Sequence, residues 1–369
     1  MIIQSKKVWI ADQFTPAQLE LEDGIIKEIY PYNEKEVTKD YGDLRILPGF
    51  FDTNDANPEG LRKWAKGIVD EGVTSFLATT LTQSEEVLTN AVSNVAKVVE
   101  EGYEGAEILG IHFEGPYLNK AHKGAQPEEY CVKPNIEQFK RYQKAAHGLI
   151  KYITMAVEND EDYALTKYCS QNNVVVSIGH SNATYEQAVQ AYAHGARSMT
   201  HVYNAMTPFT HRANGLVGGA LRIRNMYGEI ICDGNHSTLA ALNNFFTSKG
   251  PDYSIMITDS LMCKGFPVGT KFDFGGQEVV IYPDGSAHLV EAGNLAGSTL
   301  NVNKGLKILI EDALVPVNYA INACTSNPAR CLHVDDRKGT IGVGYDADLV
   351  VLDRDYEVVQ TYCKGIGQK

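Results

Sequence analysis

The sequence predicts an α/β protein: a (β/α)8 TIM-like barrel with a small β-sandwich domain built from both termini. Three observations lead to this prediction. Apolar runs of strand length recur through the middle of the chain, helical patterns follow most of them, and both ends of the chain instead alternate apolar and polar residues. Strands that are apolar throughout are buried on both faces, as in a parallel sheet covered by helices. A chain of 369 residues with 44% hydrophobic and 21% charged residues is long enough for one large and one small domain.

The two ends of the chain are expected to form the small domain together. The N-terminal segment contains Glu22-Asp23-Gly24, a hairpin turn pattern, and the tail repeats the alternation at residues 347–352. We therefore predict that residues 1–48 and 335–369 form the β-sandwich. Residues 49–334 would then form the catalytic barrel.

Eight barrel strands are expected, and a hairpin-rich insertion at about 266–292 follows the last of them. The strands lie near residues 46–52, 73–79, 106–113, 151–157, 174–179, 197–201, 228–232 and 253–258.

Helix-capping patterns stand between several of these strands. Asn57 is expected to cap a helix that begins at Pro58, and Ser84 to cap the next helix. Thr184 and Gln187 have the spacing of a capping box. Helices that alternate with the strands support the barrel prediction.

Polar residues occur where the predicted strands end, and in such barrels the active site lies at those ends. These residues are Asp52, Thr79, Glu114, Glu158, His180, His201, Asp233 and Asp259. One Glu and two His from different strand ends form a ligand set for a divalent ion, and an Asp can carry protons beside it. Taken singly, Glu114 could instead be a helix cap or half of an ion pair, and His180 a core histidine. The joint occurrence favours a metal site.

Composition narrows the classes of partner. A net charge of −13 argues against nucleic acid. No apolar run reaches the roughly 18 residues of a membrane span, and the N-terminus lacks a signal-peptide pattern, so we expect a cytoplasmic protein with no membrane partner. The seven scattered cysteines are expected to be reduced thiols.

Over nearly its whole length the chain resembles the N-acetylglucosamine-6-phosphate deacetylases of the amidohydrolase superfamily. The resemblance rests on motifs that occur in the family's order. They include Leu47-Pro48-Gly49-Phe50, His112-Phe113-Glu114-Gly115-Pro116, Lys123-Gly124-Ala125, Gly179-His180-Ser181, Asn204-Ala205-Met206, Asp233-Gly234-Asn235-His236 and Leu295-Ala296-Gly297-Ser298.

The resemblance implies an enzyme that removes the N-acetyl group of N-acetylglucosamine 6-phosphate to give glucosamine 6-phosphate and acetate. It implies that Glu114, His180 and His201 hold the metal ion, and that Asp259 is the general base and acid. It also implies a homodimer and a set of substrate-binding residues. That set is Ala125, Asn204, Ala205, Arg212, His236, Leu295, Ala296 and Gly297.

One departure concerns the number of ions. Many amidohydrolases carry His-x-His after the first strand, whereas Asp52 is followed here by Thr53-Asn54. We therefore expect one divalent ion, with Zn²⁺ favoured and Fe²⁺, Co²⁺ or Mn²⁺ also suited to the ligands, and no second ion. Asp52 or Asp55 could lend a carboxylate to the ion, but a helix-capping role is favoured. The alternative is that this sequence lacks a loop near Asp52-Thr53.

Two smaller departures follow. Gln126 stands where relatives often have His, and Lys264 belongs to a local variant after Asp259. We expect Lys264 to be a surface residue.

Three other functions remain open. The substrate could be N-acetylgalactosamine 6-phosphate, since one hydroxyl orientation separates the two sugars. The chain could be another amidohydrolase, such as a D-aminoacylase or dihydroorotase, although Asn204-Ala205-Met206 and His236 argue against it. It could also be a catalytically silent paralogue that only binds sugar phosphates.

Overall fold

The computed structural model describes residues 1–55 and 58–368, with the side chains of residues 53–58 outside this description. The strands are β1 (Ile2–Ile10), β2 (Gln13–Glu22), β3 (Ile25–Pro31), β4 (Lys39–Asp40), β5 (Arg45–Pro48), β6 (Phe50–Asp55), β7 (Val73–Thr80), β8 (Glu107–Glu114), β9 (Ile150–Met155), β10 (Val175–Ile178), β11 (Ser198–Met199), β12 (Gly228–Ile231), β13 (Ser254–Ile257), β14 (Lys271–Phe274), β15 (Gln277–Ile281), β16 (Ala287–Leu289), β17 (Leu349–Leu352), β18 (Val358–Cys363) and β19 (Ile366–Gly367). The α-helices are α1 (Pro58–Gly67), α2 (Glu85–Glu101), α3 (Ile136–Ala145), α4 (Ala164–Gln171), α5 (Tyr185–Ala193), α6 (Gly215–Arg222), α7 (Leu239–Lys249), α8 (Val302–Lys307), α9 (Val317–Cys324) and α10 (Ser326–Cys331).

A half-barrel of parallel strands forms the centre of the molecule. Its order is β11-β10-β9-β8-β7-β6, and β12 and β13 form a separate parallel pair. The chain bonds across the gap between them, since Val202 N donates to Glu229 O at 2.7 Å. On the other side, Thr258 Oγ1 donates to Asp52 Oδ1 at 2.8 Å and so links the ends of β13 and β6. Carboxyl ends of parallel strands therefore meet at one edge.

Strands from both ends of the chain share a second sheet, as the alternation predicts. Its order is β19-β18-β17-β5-β1-β2-β3, with β4 also paired to β1. The two termini meet where β5 runs antiparallel to β17. Its buried apolar side chains, among them Leu19, Ile46 and Val351, form a core separate from that of the half-barrel.

The first predicted strand, 46–52, is in fact two strands in two different sheets. The chain passes from β5 to β6 at Gly49, where an added Cβ would lie 2.1 Å from Thr74 Oγ1. Only glycine fits so close to a neighbouring strand. From Phe51 to Asp55, β6 pairs residue by residue with β7, so it is uninterrupted at Asp52 and Thr53.

Two of the predicted helix caps are confirmed. Ser84 Oγ accepts from Val87 N at 3.3 Å. Thr184 and Gln187 form both bonds of a capping box. The Asn57 prediction lies outside the described residues, as does the side chain of Asp55.

Other expectations have mixed outcomes. Asp52 lies within β6, and its carboxylate accepts hydrogen bonds from Thr258. The hairpin-rich insertion is confirmed as the three-stranded sheet β14-β15-β16. None of the described helices is both long and apolar enough to cross a membrane.

Candidate active site

Glu114, His180 and His201 meet at the carboxyl edge of the half-barrel. Glu114 ends β8, while His180 and His201 each stand two residues beyond β10 and β11. Their side chains are buried, and one potential ligand atom from each lies within 4.8 Å of the others. His180 Nε2 is 3.0 Å from Glu114 Oε1 and 3.0 Å from His201 Nε2. The strand ends thus bring together three residues that are 21 to 87 positions apart in the sequence.

Backbone carbonyls orient both imidazole rings. His180 Nδ1 donates to His122 O at 2.9 Å, and His201 Nδ1 donates to Asn204 O at 3.2 Å. A histidine that donates one ring N–H in this way presents the lone pair of its other nitrogen, as metal-binding histidines do. Both Nε2 atoms consequently face the same point.

The spacing of these atoms suits a divalent ion. Donors bound at about 2.0–2.2 Å to a tetrahedral ion lie roughly 3.3–3.6 Å apart. The three separations are 3.0, 3.0 and 3.8 Å, so a small movement would accommodate an ion. Among residues 1–55 and 58–368, no other group of three His, Cys, Asp or Glu side chains comes together in this way.

Charge in the cluster is concentrated on Glu114. Burial acts to raise the pKa of this carboxyl, but hydrogen bonds with His180 and His201 hold it well below its usual range. Burial acts to lower the pKa of His201, yet the Glu114 carboxylate raises it to about 9. His112, whose Nε2 bonds to Thr154 Oγ1 at 2.8 Å, has its pKa lowered to about 4 by burial. The cluster therefore retains a carboxylate that attracts positive charge.

Several site residues have a left-handed backbone. The φ angles are +47° at His180, +34° at His201, +50° at Ala205 and +49° at Asp259. This region costs a non-glycine residue about 1–2 kcal/mol, and such strain concentrates at functional sites. The sharp turns at the strand ends aim these side chains inward.

A cavity of about 350 Å³ opens directly above the cluster. Seven further residues predicted for the site line it: Ala125, Asn204, Ala205, His236, Asp259, Leu295 and Gly297. Ala296 is buried beside the cavity and is not among the lining residues of the described chain. Arg212 lies outside the cavity, in an exposed loop.

Asp259 and His236 are the remaining titratable groups of this cavity. Burial and the nearby Glu114 charge raise the pKa of Asp259. His236 Nδ1 donates to Asp233 Oδ2 at 2.7 Å, which leaves Nε2 free to face a ligand. The sequence identifies Asp233 only as a strand-end residue, because nothing there shows which side chain it would bind.

Other cavity residues could not be inferred from the sequence. Gln126 is buried, donates to Glu114 Oε1 at 3.2 Å and accepts from Thr82 N at 2.8 Å. The sequence identifies Gln126 only as a departure from relatives that often have His at this position. Phe274 and Asn294 line the cavity from the insertion and the segment after it. Their contribution depends on how the insertion folds back, which local sequence does not encode.

The sequence matches known proteins over most of its length. The model of the amidohydrolase family matches residues 30–366. N-acetylglucosamine-6-phosphate deacetylase of Bacillus subtilis is 40% identical over 327 residues, covering 88% of this chain and 82% of the relative. N-acetylgalactosamine-6-phosphate deacetylase of Escherichia coli O157:H7 is 31% identical over 367 residues, covering 97% and 95%.

Solved structures agree with the sequence matches. N-acetyl-D-glucosamine-6-phosphate deacetylase of Mycobacterium smegmatis, a variant in complex with N-acetyl-D-glucosamine-6-phosphate, superposes with a TM-score of 0.93 at 26% identity, covering 100% of this chain and 99% of that one. The Thermotoga maritima N-acetylglucosamine-6-phosphate deacetylase gives a TM-score of 0.89 at 27% identity, covering 100% and 99%. The chain therefore belongs to the amidohydrolase family, and within it to the N-acetylglucosamine-6-phosphate deacetylases.

Proposed function

We propose that this protein hydrolyses the acetamide of N-acetylglucosamine 6-phosphate to glucosamine 6-phosphate and acetate. The observation that carries the proposal is the convergence of Glu114, His180 and His201 beneath a cavity that Asp259 also lines. The 40% identity to a deacetylase of this name supports the substrate.

Glu114, His180 and His201 would hold one divalent ion, with Zn²⁺ favoured. An amide is a poor electrophile and neutral water a poor nucleophile. When bound, an ion of this kind lowers the pKa of water to about 7 and polarises a carbonyl. Three protein ligands leave positions open for water and substrate.

Asp259 would move the proton. As general base it takes a proton from the attacking water, and as general acid it returns that proton to the departing amine when the C–N bond breaks. Burial and the nearby Glu114 charge raise the pKa of Asp259, which favours uptake of a proton from the attacking water. Its place among the residues that line the cavity, together with Glu114, His180 and His201, supports this role.

Residues around the cavity would bind the sugar. His236, held through Nδ1 by Asp233, would donate or accept through Nε2. Asn204 and Ala205 would bind through main-chain and amide groups. Ala125, Leu295 and Gly297 would shape the wall, with Ala296 packed behind it.

In a homodimer, Arg212 would bind the phosphate group of the substrate held in the cavity of the neighbouring subunit. It lies outside the cavity of its own subunit, in the exposed loop 208–214, and the family uses such residues across a dimer interface. An Arg can grip a phosphate with two parallel hydrogen bonds. Sedimentation velocity would test whether the protein is a dimer. If it is, Arg212→Ala should weaken the binding of phosphorylated substrate and leave the dimer intact.

The architecture would complete this picture. We propose that the half-barrel closes into a (β/α)8 barrel over residues 49–334, with 1–48 and 335–369 as a β-sandwich domain. The hydrogen bonds from Val202 to Glu229 and from Thr258 to Asp52, at the two open edges of the half-barrel, support this closure. The enzyme would act in cytoplasmic amino-sugar metabolism.

N-acetylgalactosamine 6-phosphate is a second candidate substrate. The Escherichia coli deacetylase of that name is 31% identical and aligns with 97% of this chain. The two sugars differ in the orientation of one hydroxyl, so the same catalytic groups would serve either.

Acetate release measured on both sugars, each with and without the 6-phosphate, tests these proposals. We expect release from N-acetylglucosamine 6-phosphate, with loss after chelation and recovery with Zn²⁺. Metal analysis of the purified protein should find one ion per chain. Binding of the phosphosugar without acetate release by the metal-loaded protein would identify a silent paralogue and overturn the proposed activity.

A further inference from the structure

His180 occupies a strained conformation at a point where its ring must be placed accurately. Its φ of +47° lies in the left-handed region, and its Nε2 stands 3.0 Å from both Glu114 Oε1 and His201 Nε2. A non-glycine residue stays in such a conformation only when its surroundings fix it. Contacts on both sides of the His180 peptide should therefore be strong.

Those contacts converge on Glu158, which follows β9. Its Oε2 accepts from Ser181 Oγ at 2.6 Å, and its Oε1 accepts from Asn182 N at 2.6 Å. Oε1 also accepts from Asn119 Nδ2 at 2.9 Å. Ser181 and Asn182 are the two residues directly after His180, so this carboxylate anchors the turn that the histidine begins.

Asn119 extends the anchor to His180 itself. While its side chain binds Glu158, its main-chain N donates to His180 O at 2.9 Å. The same connection contains His122, whose carbonyl accepts from His180 Nδ1 at 2.9 Å. One carboxylate thus joins the segments after β8, β9 and β10 around a single imidazole.

The bonding of Glu158 differs from that of an ordinary surface carboxylate. In the described chain it forms no ion pair with Lys or Arg, and its partners are neutral N–H and O–H donors. Hydrogen bonds to an ionised acceptor are about twice as strong as neutral ones. The side chain is partly buried at the loops that frame the cavity.

We propose that Glu158 is a positioning residue that holds His180 in the left-handed turn and so aims Nε2 at the ion. The inference rests on the proposed metal site. The inference goes beyond the metal site because it attributes part of the affinity for the ion to a carboxylate that touches neither ion nor substrate. Losing a group that supports a metal ligand typically weakens metal binding about 10–100-fold.

The test is the affinity of the metal-free protein for Zn²⁺, measured by competition with a chromogenic chelator and without sugar. Glu158→Ala should bind Zn²⁺ about 10–100-fold more weakly. Glu158→Gln should lose less, because its amide oxygen can still accept from Asn182 and Asn119. Glu161→Ala, an exposed neighbour, is the matched control and should bind as the wild type does.

Further readouts separate positioning from general stability. The visible spectrum of the Co²⁺-loaded protein should change in Glu158→Ala, and saturating Zn²⁺ should restore much of the lost turnover. If Glu158→Ala does not fold, Ser181→Ala removes one of the three bonds, and weaker Zn²⁺ binding by a folded Ser181→Ala supports the proposal. Wild-type affinity in folded Glu158→Ala or Ser181→Ala overturns it. A wild type that binds no Zn²⁺ overturns the metal site itself.

Discussion

His180 and His201 present their Nε2 atoms to each other at 3.0 Å, with their ring planes at 88°. Each ring already donates through Nδ1 to a backbone carbonyl. Two facing lone pairs repel, so in the metal-free protein one Nε2 must hold a proton. An ion that enters has to displace that proton.

Zn²⁺ binding should therefore release protons and strengthen as pH rises towards about 9, the value to which the Glu114 carboxylate raises the pKa of His201. Calorimetric titrations of Zn²⁺ in buffers of different ionisation enthalpy measure the number released. Binding that is independent of pH, with no proton release, would contradict the arrangement.

Removal of one imidazole should remove most of the affinity. His201→Ala leaves Glu114 and His180 as ligands, and we expect Zn²⁺ binding to weaken by more than the about 10–100-fold typical of losing a supporting group. The Zn²⁺ content of each variant after dialysis measures this loss of affinity. His194→Ala, at a half-buried histidine that stacks on Tyr163 outside the cavity, should retain the ion, and equal metal content in the two variants would rule out His201 as a ligand.

Asp259→Asn should lower kcat about 10²–10⁴-fold, the usual contribution of a positioned proton carrier. Asn keeps the shape of the side chain and tolerates the φ of +49°, so binding of the phosphosugar should be nearly unchanged. Acetate release and calorimetric binding give the two quantities. Asp252→Asn, an exposed aspartate, is the control. Undiminished turnover in Asp259→Asn would exclude the proposed role.

The strand-end residues could be predicted because local patterns and topology together determine where they lie. Glu114, His180 and His201 each follow a short apolar strand, and parallel strands place their carboxyl ends at one edge. Three such positions sufficed to predict the cluster that the structure brings together.

The groups that hold this cluster could not be predicted, because they meet it only in three dimensions. Glu158 was visible as another strand end, but its bond to Ser181 depends on how two loops approach. Lys264 shows the same limit, since its expected surface position is wrong. Its ammonium is buried 2.6 Å from Glu71 Oε2, a partner 193 positions away.

Asp233→Ala should raise KM more than it lowers kcat. Asp233 fixes His236 with bonds of 2.7 Å to Nδ1 and 2.8 Å to N, and the two side chains are only 8% and 5% exposed. A hydrogen bond to a charged group contributes about 1.5–3 kcal/mol, so we expect a rise in KM of roughly 10–100-fold. Steady-state kinetics measure it. A fall in kcat at unchanged KM would instead place His236 in the chemical step.

Acid should weaken the contact between the half-barrel and the terminal sheet. Lys338, 1% exposed, lies 3.0 Å from Glu107 and from Asp346 and also binds Asp348. Burial acts to raise the pKa of Glu107, but Arg337 and Lys338 lower it to about 2. A carboxyl whose pKa is lowered by folding stabilises the fold fully when the pH is above its pKa in the unfolded chain, about 4.3 for Glu. That stability is lost as pH falls towards 2.

Glu107→Gln should therefore flatten the loss of thermal stability between about pH 4.3 and 2. Lys338→Met removes the ion-pair partner of the buried Asp348, while Arg337 still pairs with Glu107 and Asp346, and should cost about 3–5 kcal/mol at neutral pH. Scanning calorimetry across pH measures both. Lys6→Met, at an exposed ion pair, should change little. If thermal stability falls with acid as steeply in Glu107→Gln as in the wild type, the Glu107 carboxyl does not cause the acid loss of stability.

Lys249 should impose a pH dependence of the same sense, but at neutral to alkaline pH. Burial lowers its pKa to about 7, its Nζ donates to Ile223 O at 2.8 Å, and no carboxylate pairs with it in the described chain. The unfolded chain therefore binds the extra proton between about pH 7 and 10.4, so stability contributed by this residue rises with pH across that window.

Lys249→Met should remove this rise of stability with pH. Each unit of pKa shift is worth about 1.36 kcal/mol, and the variant also loses one hydrogen bond. We therefore expect its free energy of unfolding at pH 7 to be about 1–3 kcal/mol higher than that of the wild type. Urea unfolding at pH 7 and 10 measures both effects, with the exposed Lys97→Met as control. A variant less stable than the wild type at pH 7 would mean that the bond to Ile223 outweighs the cost of burying the charge.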